Sequence, residues 1–187
     1  GTIGQMMEPV EIKENEDIKT YEKPWALTGT QCKREHNIAN SLFLVPEQLE
    51  KVNFERFERY KQIEENEVMY EEFMMDDAEI CIVAFGIAAR VSQNAIVEAR
   101  KQGIKVGMIR PITLYPFPKE SFNKLNYDQV KGFIDVELAI PAQMHDDIAL
   151  EVKDRAPIYE YCRSGGLLFD DDGVYNAVKK ILDGGAK

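Results

Sequence analysis

Histidine is scarce in this chain of 187 residues: there are two, His36 and His145. That scarcity removes most acid–base and metal constellations built on imidazole. Cysteine is little better supplied. Cys32, Cys81 and Cys162 stand far apart, so neither a disulfide framework nor a zinc or iron–sulfur ligand set can be read from them. Cys81 and Cys162 lie in apolar runs and read as small buried hydrophobes. Long apolar runs are also missing. Nothing approaches the roughly 20 residues of a membrane span, and Gly1-Thr-Ile-Gly has neither the basic start nor the apolar centre of a signal peptide. A soluble, cytoplasmic protein is expected. Basic charge is the next shortage: 23 Lys and Arg face 33 Asp and Glu, a net charge of -10. Residues 1–76 hold 9 basic and 17 acidic groups, against 14 and 16 in the remainder. Nucleic acid demands a basic surface that displaces counterions, and neither part offers one. Gly1 stands where a native start would carry Met, so the chain is expected to be part of a longer one.

What is present divides by pattern near residue 76. Residues 9–48 read as an extended connector, broken by Pro9, Pro24, Gly29 and Pro46. Trp25-Ala-Leu-Thr-Gly-Thr30 and Asn40-Ser-Leu-Phe-Leu-Val45 are short apolar pieces suited to docking on a neighbouring surface. Pro46 suits a first helical position, and Leu49, Val52, Tyr60, Ile63, Tyr70 and Met74 form one narrow stripe at helical period. A long acidic helix over 46–74 is therefore expected, packed by that seam on its own domain or on another chain. Residues 1–76 then make an arm, and 77–187 a domain.

From Ile80 the period changes. Ile80-Cys-Ile-Val-Ala-Phe85 is a continuous apolar run of strand length, as in a parallel strand covered on both faces. Gly86 makes the turn, and a helix over 87–102 presents Ala88, Val91, Ala95 and Ala99 on one face, ending at Gly103. The unit repeats. Strands are expected at Lys105–Ile109, Gly132–Leu138 and Pro157–Cys162. Helices are expected from Lys119 to about Leu125, from Pro141 with Met144, Ile148 and Val152 inward, and after Asp172 as a cap. Four such units predict right-handed crossovers and an α/β fold: an open, doubly wound, mainly parallel, Rossmann-like sheet.

Ligands of such sheets bind beyond the carboxyl ends of the strands, so the turns there carry the information. The first turn, Phe85-Gly-Ile-Ala-Ala-Arg90, has one glycine where a dinucleotide fingerprint wants three, which disfavours a pyrophosphate. A phosphoacceptor site would need an acid pair after the first strand, and Phe85-Gly86 stands there instead. Arg90, Arg110 and Arg163 are able to converge on an anion, or to pair with carboxylates such as Glu137. His145-Asp-Asp147 resembles a ligand cluster, yet successive helical residues point in different directions, and a solvated face is the better reading. The candidate interface or anion-side residues are Gly86, Arg90, Arg110, Thr113, Glu137, Arg163, Gly165 and Gly166.

Several runs together resemble a known family. Gly4-Gln-Met-Met-Glu-Pro-Val10, Lys23-Pro-Trp-Ala-Leu-Thr-Gly-Thr30, Tyr60 to Tyr70, Gly107-Met-Ile-Arg-Pro-Ile-Thr-Leu-Tyr-Pro-Phe-Pro118 and Tyr161-Cys-Arg-Ser-Gly-Gly166 are similar to the alpha-type subunit of 2-oxoacid:ferredoxin oxidoreductases. Among these the sequence resembles the branched-chain, 3-methyl-2-oxobutanoate (2-ketoisovalerate) type, over essentially all 187 residues. The resemblance implies a transketolase C-terminal-like domain. It implies an enzyme that cleaves a 2-oxoacid with thiamine diphosphate and magnesium, passes electrons through iron–sulfur clusters to ferredoxin, and transfers the acyl group to coenzyme A. It also implies that Gly4–Pro9 is the exit of a pyrimidine-binding domain whose thiamine-gripping residues precede Gly1. This chain is then the non-catalytic portion, binding none of those cofactors itself. Its expected partners are the rest of the pyrimidine domain, the other subunits and, through the complex, ferredoxin. One departure stands out. Many relatives show an Asn and a Gly where this sequence has Ala139-Ile-Pro-Ala142, and a proline there removes a backbone donor.

Overall fold

The computed structural model describes residue 11 and residues 20–38 and 40–184; the Gly4–Val10 run lies outside the described residues. The chain divides into two compact units, one ending at Arg59 and one running from Tyr60. In the smaller unit the Trp25 and Leu27 side chains are about 70% exposed, at 70% and 71%. A helix, α1, spans Pro46–Asn66 and buries none of its residues.

The larger unit is built on five described strands: β1 (Tyr70–Phe73), β2 (Ile80–Val83), β3 (Val106–Pro111), β4 (Gly132–Glu137) and β5 (Ile158–Cys162). They lie in the order β1-β3-β2-β4-β5. The last four are mutually parallel, and β1 closes one edge antiparallel to β3. Helices α2 (Gly86–Lys101), α3 (Lys119–Asn123), α4 (His145–Val152) and α5 (Asp171–Leu182) alternate with the strands. The apolar runs read as doubly covered strands are that: every residue of β2 is buried, and β4 is buried throughout.

Period-two alternation sends the strand side chains into two cores. Ile80, Ile82, Val106, Met108, Ile134 and Val136 meet the small-residue face of α2, with Ala88, Ala95 and Ala99, and Val174 and Val178 of α5. Cys81, Val83, Ile109 and Phe133 meet Phe122 of α3 and Met144, Ile148 and Val152 of α4 on the other face. The two faces together make the expected doubly wound α/β sheet.

The structure corrects four boundaries. The helix expected over 46–74 ends at Asn66, and Tyr70–Phe73 is a strand whose residues pair with Pro111 back to Met108. Tyr70 and Met74 continue the helical period by coincidence; aromatic Tyr70 and Phe73 suit a strand, and pairing with β3 overrides helix propensity. Met74, with φ +53°, has left helical geometry altogether. The division after residue 76 therefore separates β1 from the sheet it belongs to. The helix expected from Pro141 starts at His145, because the amides of Gln143 and Met144 are still tied back to Glu137 in the turn after β4. Finally, α5 is capped by Asp170, not Asp172: the Asp170 carboxylate accepts from the Gly173 amide at 2.7 Å.

Candidate functional site

Adjacent strands β2 and β4 send the chain to opposite faces, β2 to α2 and β4 to α4. This reversal opens a crevice at the carboxyl ends of the strands, where ligands of such sheets sit. On one side of it, α2 begins at Gly86, whose φ of +55° is a left-handed conformation suited to glycine. Gly86, Arg90, Gln93 and Arg110 line a cavity of about 250 Å³. Arg110 donates to the Glu71 carboxylate at 2.7 Å across the β1–β3 pair, as the register of those two residues dictates.

Of the three arginines expected to converge, two share that cavity. Arg163 does not: it follows β5, three strand spacings from β3, roughly 14 Å at about 4.8 Å each. Its amide donates to the Glu137 carbonyl at 3.0 Å and its guanidinium lies 5.9 Å from the Tyr161 ring centre. Gly165 and Gly166 follow it, exposed and left-handed at φ +66° and +88°. Thr113 serves the loop after β3. Its hydroxyl accepts from the Met69 amide and donates to the Pro116 carbonyl, both at 3.0 Å, tying that loop to the approach to β1.

Glu137 pairs with no arginine. Buried at the end of β4, its carboxylate accepts from the Gln143 amide at 3.1 Å and the Met144 amide at 2.6 Å. These donors are the last two amides before α4, Met144 being its N-cap residue, so the carboxylate closes the turn over residues 138–144 and fixes where the helix begins. The proline at 141 leaves both donors in place.

Beside Glu137 is a group the sequence reading passed over. Asp135 is fully buried on the same face of β4, and neither carboxyl oxygen meets an N–H or hydroxyl donor. Burial pushes its pKa up to about 8, with the like charge of Glu137, a carboxyl–carboxyl hydrogen bond to Glu137 and then the charge of Glu160 acting in the same direction. Glu160 stands opposite Asp135 in the β4–β5 register. His145, expected on a solvated face, is half-buried, and its Nδ1 lies 2.9 Å from Glu160 Oε1, a close contact without the alignment of a hydrogen bond. The signal was present: an acid at every second position, Asp135 and Glu137, within an otherwise apolar strand.

Cys162 lies opposite Glu137, and burial followed by the surrounding carboxylates pushes its thiol up to about 11. Cys81 is buried in the core and raised by burial as well. Neither has the electropositive setting that makes a reactive thiolate. Among the described residues no three His, Cys, Asp or Glu side chains converge as a metal ion would require. No described helix is long and apolar enough to cross a membrane.

Comparison with known proteins fits this geometry. A family described as pyruvate:ferredoxin oxidoreductase core domain II matches residues 78–172, which hold β2 to β5 and the crevice. The ketoisovalerate oxidoreductase subunit VorB of Methanothermobacter thermautotrophicus is 39% identical over 179 residues, 96% of this chain and 50% of that protein. The chain thus spans about half the length of the curated relative. Two solved structures share the fold. A 2-oxoglutarate:ferredoxin oxidoreductase from Magnetococcus marinus, with 2-oxoglutarate, coenzyme A and succinyl-CoA bound, superposes with a TM-score of 0.63 at 22% identity, over 79% of this chain and 25% of that one. A split-gene transketolase, an inactive beta4 tetramer, gives 0.51 at 16% identity, over 62% and 41%.

Proposed function

The chain belongs to the pyruvate:ferredoxin oxidoreductase core domain II family, and from that premise we propose that it is the assembly portion of an alpha-type subunit in a thiamine diphosphate-dependent 2-oxoacid:ferredoxin oxidoreductase. The complete cytoplasmic enzyme oxidatively decarboxylates a branched-chain 2-oxoacid to its acyl-CoA and reduces ferredoxin. The observation that carries this reading is the 39% identity to a ketoisovalerate oxidoreductase subunit along 96% of the chain.

The strand-end residues support an assembly role. Glu137, Thr113 and Arg110 are engaged with the turns and strands around them, which makes the crevice rim a fixed surface for a partner. Gly86, Arg90, Gly165 and Gly166 then belong to that contact surface. The donor sets of this chain do not suit the cofactors of the complete enzyme. A thiamine diphosphate–magnesium site needs convergent oxygen ligands, and an iron–sulfur cluster needs grouped thiolates. The described residues supply no such convergence, and Cys32, Cys81 and Cys162 occupy three separate environments, exposed, buried and half-buried. The reading assigns those groups to the remaining pyrimidine domain and the other subunits, as the family resemblance implies.

One observation favours a second reading: the cavity shared by Arg90 and Arg110 suits a small anion. Calorimetry and reconstitution separate the two. The isolated chain is expected to take up neither thiamine diphosphate nor a nucleotide, and the complete complex to turn over 3-methyl-2-oxobutanoate in preference to pyruvate and 2-oxoglutarate. Micromolar uptake of either ligand by the isolated chain would sink the assembly reading.

A further inference from the structure

The crevice holds two buried acids within two residues on one face of β4, about 6.6 Å apart along the strand at about 3.3 Å per residue. Only one of them is met by backbone donors. Glu137 accepts from the amides of Gln143 and Met144, one at each oxygen. Asp135 has no donor to answer a negative charge, and an isolated buried carboxylate is among the costliest groups a core can hold. We propose that Asp135 stays protonated beside Glu137, and that this proton is the latch keeping the turn 138–144 and the first turn of α4 closed over the sheet edge.

The surroundings supply no cation in direct contact to hold a second charge. From β5, Glu160 faces Asp135 and Cys162 faces Glu137. From β2, Val83 is opposite Asp135, and Cys81 is the titratable group on that face. α3 offers Phe122 and Ser121. α4 offers His145, which is engaged with Glu160, while Asp146 and Asp147 face solvent. The turn after β5 brings Arg163, which gives its amide to the Glu137 carbonyl and turns its guanidinium to Tyr161. Removing the Asp135 proton therefore places two adjacent carboxylates in a dry site with a third across the strand. The soft element is the turn that Glu137 grips, and lifting it admits water to both acids.

Amide exchange of the full chain between pH 6 and 9.5, corrected for base-catalysed intrinsic exchange, tests the latch. Protection at Gln143 and Met144 is expected to fall by up to about tenfold per pH unit toward about 8, where closed Asp135 still holds the proton that opening releases, and to level off above it, with that bend as the midpoint of the profile. Asp135→Asn, which has no proton to lose there, should keep those amides protected throughout. Glu160→Gln removes a like charge that raises Asp135, so its midpoint should move to lower pH, and this variant carries the test if Asp135→Asn does not fold by circular dichroism. A flat profile in the wild type, an Asp135→Asn profile with the wild-type midpoint, or an unmoved midpoint in Glu160→Gln would each overturn the proposal.

Discussion

At the scale of single residues, Asp135 and Gly107 show how close packing decides what a position tolerates. Folded Asp135 holds a proton near neutral pH that the unfolded chain, with an ordinary carboxyl, has released. Its contribution to stability is therefore whole below about pH 4 and lost progressively as pH rises to about 8. The urea midpoint of the wild type should fall between pH 5 and pH 8, and Asp135→Asn should flatten that fall; an equal fall in both would count against the assignment. One proton bounds the slope at about 1.4 kcal/mol per pH unit. Gly107 is a matter of space. A β-carbon there would sit 2.5 Å from the Met74 carbonyl oxygen and 2.7 Å from Met75 Sδ. The first obstacle is backbone, which has little room to yield, so Gly107→Ala should destabilise by about 1–3 kcal/mol, seen as a lower urea midpoint at unchanged slope.

At the scale of elements, sequence pattern located strands and helices better than their ends. The apolar run of β2, the alanine face of α2 and the inward residues of α4 were all legible, because burial imposes a period that survives in one sequence. Long-range pairing was not. Nothing local distinguishes Tyr70–Phe73 as the end of a helix from Tyr70–Phe73 as an edge strand; the partner that decides it, Met108–Pro111, lies nearly 40 residues on. The start of α5 fails for a different reason, since Asp170, Asp171 and Asp172 are each plausible caps and only geometry chooses among them. The choice is measurable. Asp170→Ala should cost about 1 kcal/mol by losing the bond to the Gly173 amide, while Asp172→Ala, inside the first turn, should cost clearly less. Equal effects in the two variants would mean that the cap is shared.

For the whole molecule, the sheet keeps the crevice of a ligand-binding α/β fold but fills it with groups that hold its own turns. The opening turn Phe85–Arg90 was legible as a strand-turn-helix from its apolar run and its glycine, whereas the convergence of Arg90 with Arg110, and not with Arg163, depends on the strand order β3-β2-β4-β5. The acid pair of β4 was visible as letters yet not as a pair, because its meaning lies in the absence of a donor to Asp135, a property of three dimensions. If the crevice rim is a contact surface, its residues should matter to assembly and not to the cofactor. Arg90 offers the cleanest case: it is exposed, sits at the first turn of α2, and lies outside both cores. In the isolated chain the melting temperature of Arg90→Ala is compared with the wild type, so that any loss of folding stability is separated from loss of assembly. In the complete complex the same variant should weaken association of this subunit with its partners while the thiamine diphosphate affinity of the assembled enzyme stays at the wild-type value. Sedimentation and calorimetry on one preparation read both quantities. Loss of cofactor affinity with assembly intact would place Arg90 beside the cofactor and return the crevice to a role in binding.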